Sequence, residues 1–215
     1  MKKECPTRLH ELFRDSSSAK DYLERYAKHV SSLLADLDSK ALSGIVDCFL
    51  AARERSSTIF FVGNGGSAAT ASHFAQDLAE VGRKTGKAIF KTYSLTDNVP
   101  TITALANDYG YETIFIRQME ERFRKGDVLV AISASGNSPN IVGAASHAKK
   151  TGGLVVGLVG FDGGKLARTC DHMMHVRTGG GEYGPVEDIH MILDHMITTY
   201  IMMKDLAGAE ALKKA

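Results

Sequence analysis

After Arg55, short apolar segments alternate with helical patterns along the rest of the chain, and this alternation leaves few possible folds. The segments are rich in Val, Ile and Phe, and glycine or charged residues bound most of them. Uninterrupted apolar strands separated by helices are typical of a parallel sheet that is covered on both faces. The segments span residues 58–62, 88–93, 128–132, 154–159 and 173–176. We therefore predict an α/β fold, a three-layer doubly wound domain with a five-stranded parallel sheet.

The part of the chain before these segments carries a helical pattern with little glycine. Apolar side chains recur there at helical spacing, and Asp38 or Ser39 is suited to cap a second helix. We predict an N-terminal helical arm over residues 1–56 and a single α/β unit over residues 57–215.

Composition argues against several classes of function. The 215 residues carry a net charge of +1 with basic residues spread along the chain, so there is no electrostatic footprint for nucleic acid or an anionic membrane. The cysteines, Cys5, Cys48 and Cys170, are odd in number and far apart, which argues against a disulfide framework or a cysteine zinc site. The N-terminus lacks the apolar core of a signal peptide, and no apolar run approaches the roughly 18 residues of a membrane span. We expect a cytoplasmic protein that binds neither nucleic acid nor membranes.

A glycine-rich loop directly follows the first apolar segment and precedes a helical pattern. Its residues are Gly63, Asn64, Gly65, Gly66 and Ser67. Glycines let the backbone approach a ligand closely, and free N–H groups at a helix start favour an anion. The glycine spacing also matches a dinucleotide fingerprint, but no acidic residue ends the next strand to hold a ribose, and no Walker lysine follows. A phosphate-binding loop and an ordinary strand-to-helix turn with a capping serine both remain open.

A second polar loop follows the third apolar segment. Ser133, Ser135 and Ser138 place three hydroxyl groups at the carboxyl end of a strand and the start of a helix, with Ala134 among them. Hydroxyl and backbone N–H groups can surround a phosphate without lysine or arginine, although the same residues also serve as ordinary caps. Because both loops follow strands of one sheet, we expect them to converge on one crevice at its carboxyl edge.

Histidine and carboxylate residues occur together on two predicted helices. His73 and Asp77, four residues apart after the first loop, lie on one helix face. The last predicted helix, over about residues 186–205, carries five more such residues: Glu187, Asp188, His190, Asp194 and His195. These groups could hold a divalent metal such as zinc, supply a general base and acid, or form solvated structural pairs. Helical geometry alone does not select the partners on the last helix.

Four segments, in order along the chain, resemble one known family. They are GNGGSAATASHFAQDL, ALANDYGYETIF, DVLVAISASGNSPNI and VEDIHMILDH, and the similarity runs from about residue 20 to about residue 205. The chain resembles the sugar isomerase (SIS) domain family and, within it, the phosphoheptose isomerases. This resemblance implies a flavodoxin-like SIS domain that forms a cytoplasmic homotetramer with active sites shared between subunits. It also implies interconversion of sedoheptulose 7-phosphate and a manno-heptose 7-phosphate.

The resemblance further implies roles for individual residues. The positions that match substrate-binding residues are Asn64, Gly65, Gly66, Ser67, Asn107, Asp108, Ser133, Ala134, Ser135, Ser138 and Glu187. The positions that match the ligands of one zinc ion per subunit are His73, Asp77, Glu187 and His195. Asp77 would remove the proton next to the carbonyl group, and His195 would move protons to and from the sugar oxygens, through a cis-enediol.

Two positions depart from the family pattern in a way that affects the expected chemistry. Asp77 stands where the family usually has glutamate, and Glu187 stands where it usually has glutamine. Both changes preserve the capacity to bind a metal, but we expect the shorter Asp77 to shift the base enough to change the rate or the substrate preference. An isomerase or epimerase of another sugar phosphate, and a non-catalytic SIS module that senses a sugar phosphate, are the alternatives.

Overall fold

The computed structural model describes the backbone of residues 7–214 and the side chains of residues 7–208. Within this range, five parallel strands form one sheet in the order β2-β1-β3-β4-β5, which is the flavodoxin-like order. The strands are β1 (Thr58–Val62), β2 (Lys91–Ser94), β3 (Val128–Ser133), β4 (Leu154–Val159) and β5 (His172–His175). The predicted fold class is confirmed.

Helices flank the sheet and connect most of its strands. They are α1 (Arg8–Arg14), α2 (Ala19–Ala35), α3 (Ser39–Glu54), α4 (Gly66–Thr85), α5 (Val99–Tyr109), α6 (Ile114–Arg122), α7 (Pro139–Lys150) and α8 (Tyr183–Lys214). The Asp38 carboxylate accepts hydrogen bonds from the N–H groups of Lys40 and Ala41 at 2.8 and 3.1 Å, and so caps α3 as the sequence predicts. Of the helices in the described range, none is both long enough and apolar enough to span a bilayer.

The second strand begins at Lys91 rather than at residue 88 as predicted. In the sheet register, Thr58 at the start of β1 lies opposite Lys91, so the residues before Lys91 precede the ladder. The chain there crosses α4 at Gly82, where a Cβ would lie 2.6 Å from the Cα of Ile89. The apolar segment is therefore partly a connection packed on a helix, and periodicity alone does not distinguish the two.

The two faces of the sheet are covered by different helices. Phe61 of β1 lies in a core shared with α3, α4 and α8, whereas its neighbours Phe60 and Val62 lie in a second core shared with α6 and α7. The helices that follow β1 and β3, two adjacent strands, therefore cover opposite faces of the sheet. The carboxyl ends of β1 and β3 consequently form a topological switch point, which is where α/β folds of this kind bind ligands.

The N-terminal helices join the first core to different extents. Phe49 of α3 is fully buried, and its ring centroid lies 5.8 Å from that of Phe74 on α4. The side chains of α2 are at most partly buried, and this helix reaches the region around the start of α8 through a 2.8 Å contact between His29 and Glu182. Helix α3 thus packs as a layer of the sandwich, and the domain boundary at residue 56 stays a prediction.

Candidate active site

The first loop turns the chain from β1 into α4 within a few residues. Gly65 precedes α4 with a φ of 55° and a ψ of −123°, a conformation that residues with a side chain rarely adopt. At Gly63, a Cβ would overlap the backbone of Ser67, which is itself buried in the first turn of α4. The loop therefore brings the chain directly to a helix start, a position that favours an anion.

The second loop is a compact turn at the carboxyl end of β3. The Oγ of Ser133 accepts a hydrogen bond from the N–H of Gly136 at 3.2 Å, and the Oγ of Ser135 accepts one from the N–H of Asn137 at 3.2 Å. Ser138 is the N-cap residue of α7, yet its side chain forms no capping bond in the described structure. The Ser138 hydroxyl is consequently available to a ligand at a second helix start.

Both loops line one cavity of about 120 Å³, which we call the loop cavity. Its lining consists of Asn64, Ser67, Ile132, Ser133, Ala134, Ser135, Ser138, Tyr183 and Glu187. Pockets that enclose a whole drug-sized ligand measure roughly 300–1,000 Å³. The loop cavity is therefore suited to one end of a small molecule, such as a phosphate group.

A pair of side-chain amides joins the two sides of the loop cavity. Asn64 and Asn140 exchange hydrogen bonds of 2.9 and 2.8 Å, and the Tyr111 hydroxyl donates to the Oδ1 of Asn64 at 2.9 Å. The sequence analysis assigned no individual role to Asn140, Tyr111 or Tyr183. Asn140 and Tyr111 nevertheless lie within two of the segments that carry the family resemblance.

The remaining predicted substrate residues occupy two different places. Glu187, on the first turns of α8, packs against Gly66 so closely that a Cβ there would overlap the carboxylate. Burial and the neighbouring Asp188 raise the pKa of Glu187. Asn107 and Asp108 are exposed near the end of α5, where the Asn107 amide donates to the Asp108 carboxylate at 2.8 Å. This pair lies outside the lining of the loop cavity.

Farther along α4 and α8, two histidines and two aspartates form a second group, which we call the His–Asp cluster. The Nε2 of His73 lies 3.2 Å from the Nε2 of His195 and 3.4 Å from the Oδ2 of Asp77. It lies 3.9 Å from the Oδ2 of Asp194, and one donor atom from each of the four residues lies within 4.8 Å of the others. Imidazole nitrogens and carboxylate oxygens are donors that zinc and similar divalent metals accept, so the cluster fits such an ion.

Three of the four predicted metal ligands belong to this cluster. The fourth, Glu187, lies at the loop cavity, and the cluster instead includes Asp194, which the sequence offered only as one of five candidates on the last helix. Asp194 is fully buried, whereas His73 and His195 are exposed. Burial and the negative charge of Asp77 raise the pKa of Asp194 to about 8.

The loop cavity and the His–Asp cluster are connected by the same pair of helices. Ser67 and His73 both lie on α4, and Glu187 and His195 both lie on α8. At a rise of about 1.5 Å per residue, the cluster lies roughly 9 Å along α4 and roughly 12 Å along α8 from the cavity residues. The arrangement can hold an anionic group at one end and present imidazole and carboxylate groups toward the other end of an elongated ligand.

The fold and the site together define an α/β domain of the phosphosugar-binding class. Residues 21–160 match the SIS domain family. The phosphoheptose isomerase of Rhodospirillum rubrum is 41% identical over 139 residues, which cover 65% of this chain and 72% of that protein. The phosphoheptose isomerase of Mycobacterium tuberculosis is 37% identical over 167 residues, which cover 75% of this chain and 81% of that protein. The chain belongs to the SIS-domain family, among the phosphoheptose isomerases, and it is a phosphosugar isomerase.

Solved structures agree with this assignment. The phosphoheptose isomerase of Neisseria gonorrhoeae has a TM-score of 0.71 and 30% identity, and the match covers 85% of this chain and 95% of that one. The phosphoheptose isomerase of Francisella tularensis has a TM-score of 0.78 at 24% identity, covering 86% of this chain and 99% of that one, and this likeness shows the fold.

Proposed function

We propose that this chain interconverts sedoheptulose 7-phosphate and D-glycero-D-manno-heptose 7-phosphate. The observation that carries the proposal is that the loop cavity and the His–Asp cluster lie along the same two helices, so one elongated sugar phosphate can reach both. The relatives in R. rubrum and M. tuberculosis are phosphoheptose isomerases, which supports a heptose as the sugar. An isomerase of another sugar phosphate is the alternative.

In this proposal the phosphate end of the substrate binds in the loop cavity. The hydroxyl groups of Ser133, Ser135 and Ser138 and the starts of α4 and α7 provide neutral donors. Binding energy from this remote group positions the C1–C2 end for reaction. Asn107 and Asp108, which are exposed away from this cavity, are predicted substrate contacts that would serve the site of a neighbouring subunit.

Proton transfer at the other end of the substrate falls to Asp77 and His195. The Asp77 carboxylate takes the proton from the carbon next to the carbonyl group, and the C–H electron pair forms the double bond of a cis-enediol while His195 gives a proton to the carbonyl oxygen. His195 then takes the proton from the other sugar oxygen as the new carbonyl group forms, and Asp77 returns its proton to the former carbonyl carbon. Both side chains are accessible to a ligand, since Asp77 is partly exposed and His195 is exposed.

A divalent metal, by resemblance one zinc ion per subunit, completes the proposal. His73, Asp77 and His195 would hold it, and the family resemblance implies Glu187 for the fourth position. When bound, such an ion stabilises the negative charge that develops on the sugar oxygen.

The proposal includes a homotetramer with shared sites. Over residues 196–206, helix α8 exposes four large apolar side chains: Met196, Tyr200, Met203 and Leu206. Two of them, Met196 and Tyr200, line a groove of about 730 Å³ between α3 and α8, together with His195 of the His–Asp cluster. Because contiguous exposed apolar surface marks contact sites, this face supports packing against another copy near the active site. Sedimentation velocity measures the assembly state.

Turnover of sedoheptulose 7-phosphate by the purified protein, with and without added zinc, tests the activity. We expect turnover that chelation abolishes and zinc restores. A panel of other sugar phosphates under the same conditions identifies a different substrate if the heptose is inert. Binding of sugar phosphates without turnover of any of them would contradict the proposed catalysis.

A further inference from the structure

We infer that Asp194, rather than Glu187, supplies the fourth ligand of the metal site, and that Glu187 belongs to the substrate. This inference rests on the metal-binding isomerase proposed above and concerns the roles of two carboxylates on α8.

When it is ionised, the buried Asp194 carboxylate needs a positive partner. Its side chain has 0% exposure, and across residues 7–208 neither carboxylate oxygen has a hydrogen-bond partner. The His73 Nε2 at 3.9 Å acts as a counter-charge only when the ring is protonated. Removing a carboxylate from water costs roughly several kcal/mol unless the group is paired. A cation held between Asp194 and its neighbours would supply that pairing.

The spacing of the donor atoms also fits a metal. Zinc ligands lie about 2.0–2.2 Å from the ion, so neighbouring donors of a tetrahedral site lie about 3.3–3.6 Å apart. The separations from His73 Nε2 are 3.2 Å to His195, 3.4 Å to Asp77 and 3.9 Å to Asp194, and His195 lies 4.0 Å from Asp77. These four separations lie within about 0.4 Å of the tetrahedral range, and the donor atoms of all four residues lie within 4.8 Å of one another. The two carboxylates together match the charge of a divalent ion.

Asp194 and His195 can serve one ion although they are adjacent in the chain. Neighbouring helix positions point about 100° apart, and here one side chain is fully buried while the other is 54% exposed. The aspartate therefore approaches the cluster from the protein interior, and the histidine approaches it from the solvent side.

Glu187 lies at the loop cavity rather than in the His–Asp cluster. Its carboxylate packs against Gly66 and lines the loop cavity, together with Ser67 and Ser133. In the described part of the chain it is absent from the group of residues whose donor atoms converge. From the loop cavity, Glu187 can accept hydrogen bonds from sugar hydroxyl groups, a role that leaves the metal position to Asp194.

Zinc affinity of the metal-free protein tests this inference without measuring activity. The variants are Asp194→Asn and Glu187→Gln, which each replace a carboxylate with an amide of similar shape, and the readout is competition with a chromophoric zinc chelator. We expect Asp194→Asn to weaken zinc binding at least about 10–100-fold, the loss known for perturbed metal shells, and Glu187→Gln to bind zinc as the parent does. The reverse ranking would overturn the inference.

A crystal structure of the zinc-loaded parent protein gives a second answer that needs no variant. Zinc bonded to an Asp194 oxygen at about 2.0–2.2 Å supports the inference, and zinc bonded to Glu187 in that position overturns it. Zinc held through Asp194 by a protein that turns over no sugar phosphate would refute the proposed activity alone. Turnover by a protein that binds no zinc would overturn the inference and the proposed zinc ion, and it would leave the proposed isomerase activity standing.

Discussion

The Nε2 atoms of His73 and His195 lie 3.2 Å apart, although 122 residues separate the two histidines in the chain. Their rings meet edge to face, with centroids 5.2 Å apart and an angle of 65° between the planes. Two protonated rings at this distance would repel each other, whereas two neutral rings can share a proton or a cation. The packing of α4 on α8 thus creates the pair on which the proposed chemistry depends.

Replacing Asp77 with asparagine should abolish most of the isomerase activity. Loss of a general base costs about 10²–10⁴-fold in rate, and Asp77 is only partly buried, so the fold should persist. Steady-state kinetics with sedoheptulose 7-phosphate, alongside circular dichroism, measures both effects. Glu80→Gln is the matched control, because Glu80 lies on the same helix and pairs with Arg83. An Asp77→Asn enzyme that keeps most of the parent rate would rule out Asp77 as the base.

Replacing Gly66 with alanine should impair substrate binding rather than folding. The added Cβ would overlap the Glu187 carboxylate and displace it from the loop cavity. We expect a raised KM with little change in thermal stability, because the backbone of Gly66 does not require glycine and the group in the way is the end of a flexible side chain. Gly208→Ala on α8 is the control, because its Cβ would meet open space. A parent-like KM for Gly66→Ala would show that the position of Glu187 does not matter for binding.

Acid should destabilise the protein through His190. Burial disfavours the charged ring and lowers the pKa of His190 to about 4, so the folded state binds its proton more weakly than the unfolded chain, whose pKa is about 6.5. The contribution of His190 to stability is therefore complete above about pH 6.5 and is lost as pH falls toward 4. The total loss in the free energy of unfolding is up to about 3 kcal/mol. Urea unfolding at several pH values measures how steeply the free energy of unfolding changes with pH. The slope should flatten in His190→Gln and persist in His10→Gln, where the histidine is exposed; equal slopes in both would contradict the prediction.

Stability of the metal-free protein should also fall toward alkaline pH, through Asp194. Its pKa is raised to about 8, so the folded state keeps a proton that the unfolded chain has lost above its ordinary pKa of about 4. Stability that is present at low pH is therefore lost as pH rises through about 8, and Asp194→Asn should remove this part of the decline.

Because a metal competes with that proton, chelation should lower the Tm of the zinc-loaded protein more at pH 8.5 than at pH 6. Thermal melts with and without chelator measure the difference, and an equal shift at both pH values would contradict it.

Local patterns in the sequence are enough to predict the sheet and both loops. The strands at residues 58–62 and 154–159 end where their apolar runs end, and α3 begins after Asp38. Strand burial, glycine at tight turns and helix caps depend on residues close together in the chain, so they can be predicted from short windows. The predicted convergence of the loops also follows from local information, because carboxyl ends of parallel strands share one edge.

Packing between distant elements decides which side chains share a site. Helical spacing relates residues within α8, but it does not specify which of them face α4, because that depends on how the two helices pack. Asp194 therefore joins His73 while Glu187 lies against Gly66, although both acids were candidates from the sequence. Asn140 likewise meets Asn64 only through the sheet order. Such contacts arise when apolar faces pack and bring polar groups from separate helices together, which is a property of the whole chain rather than of any one segment.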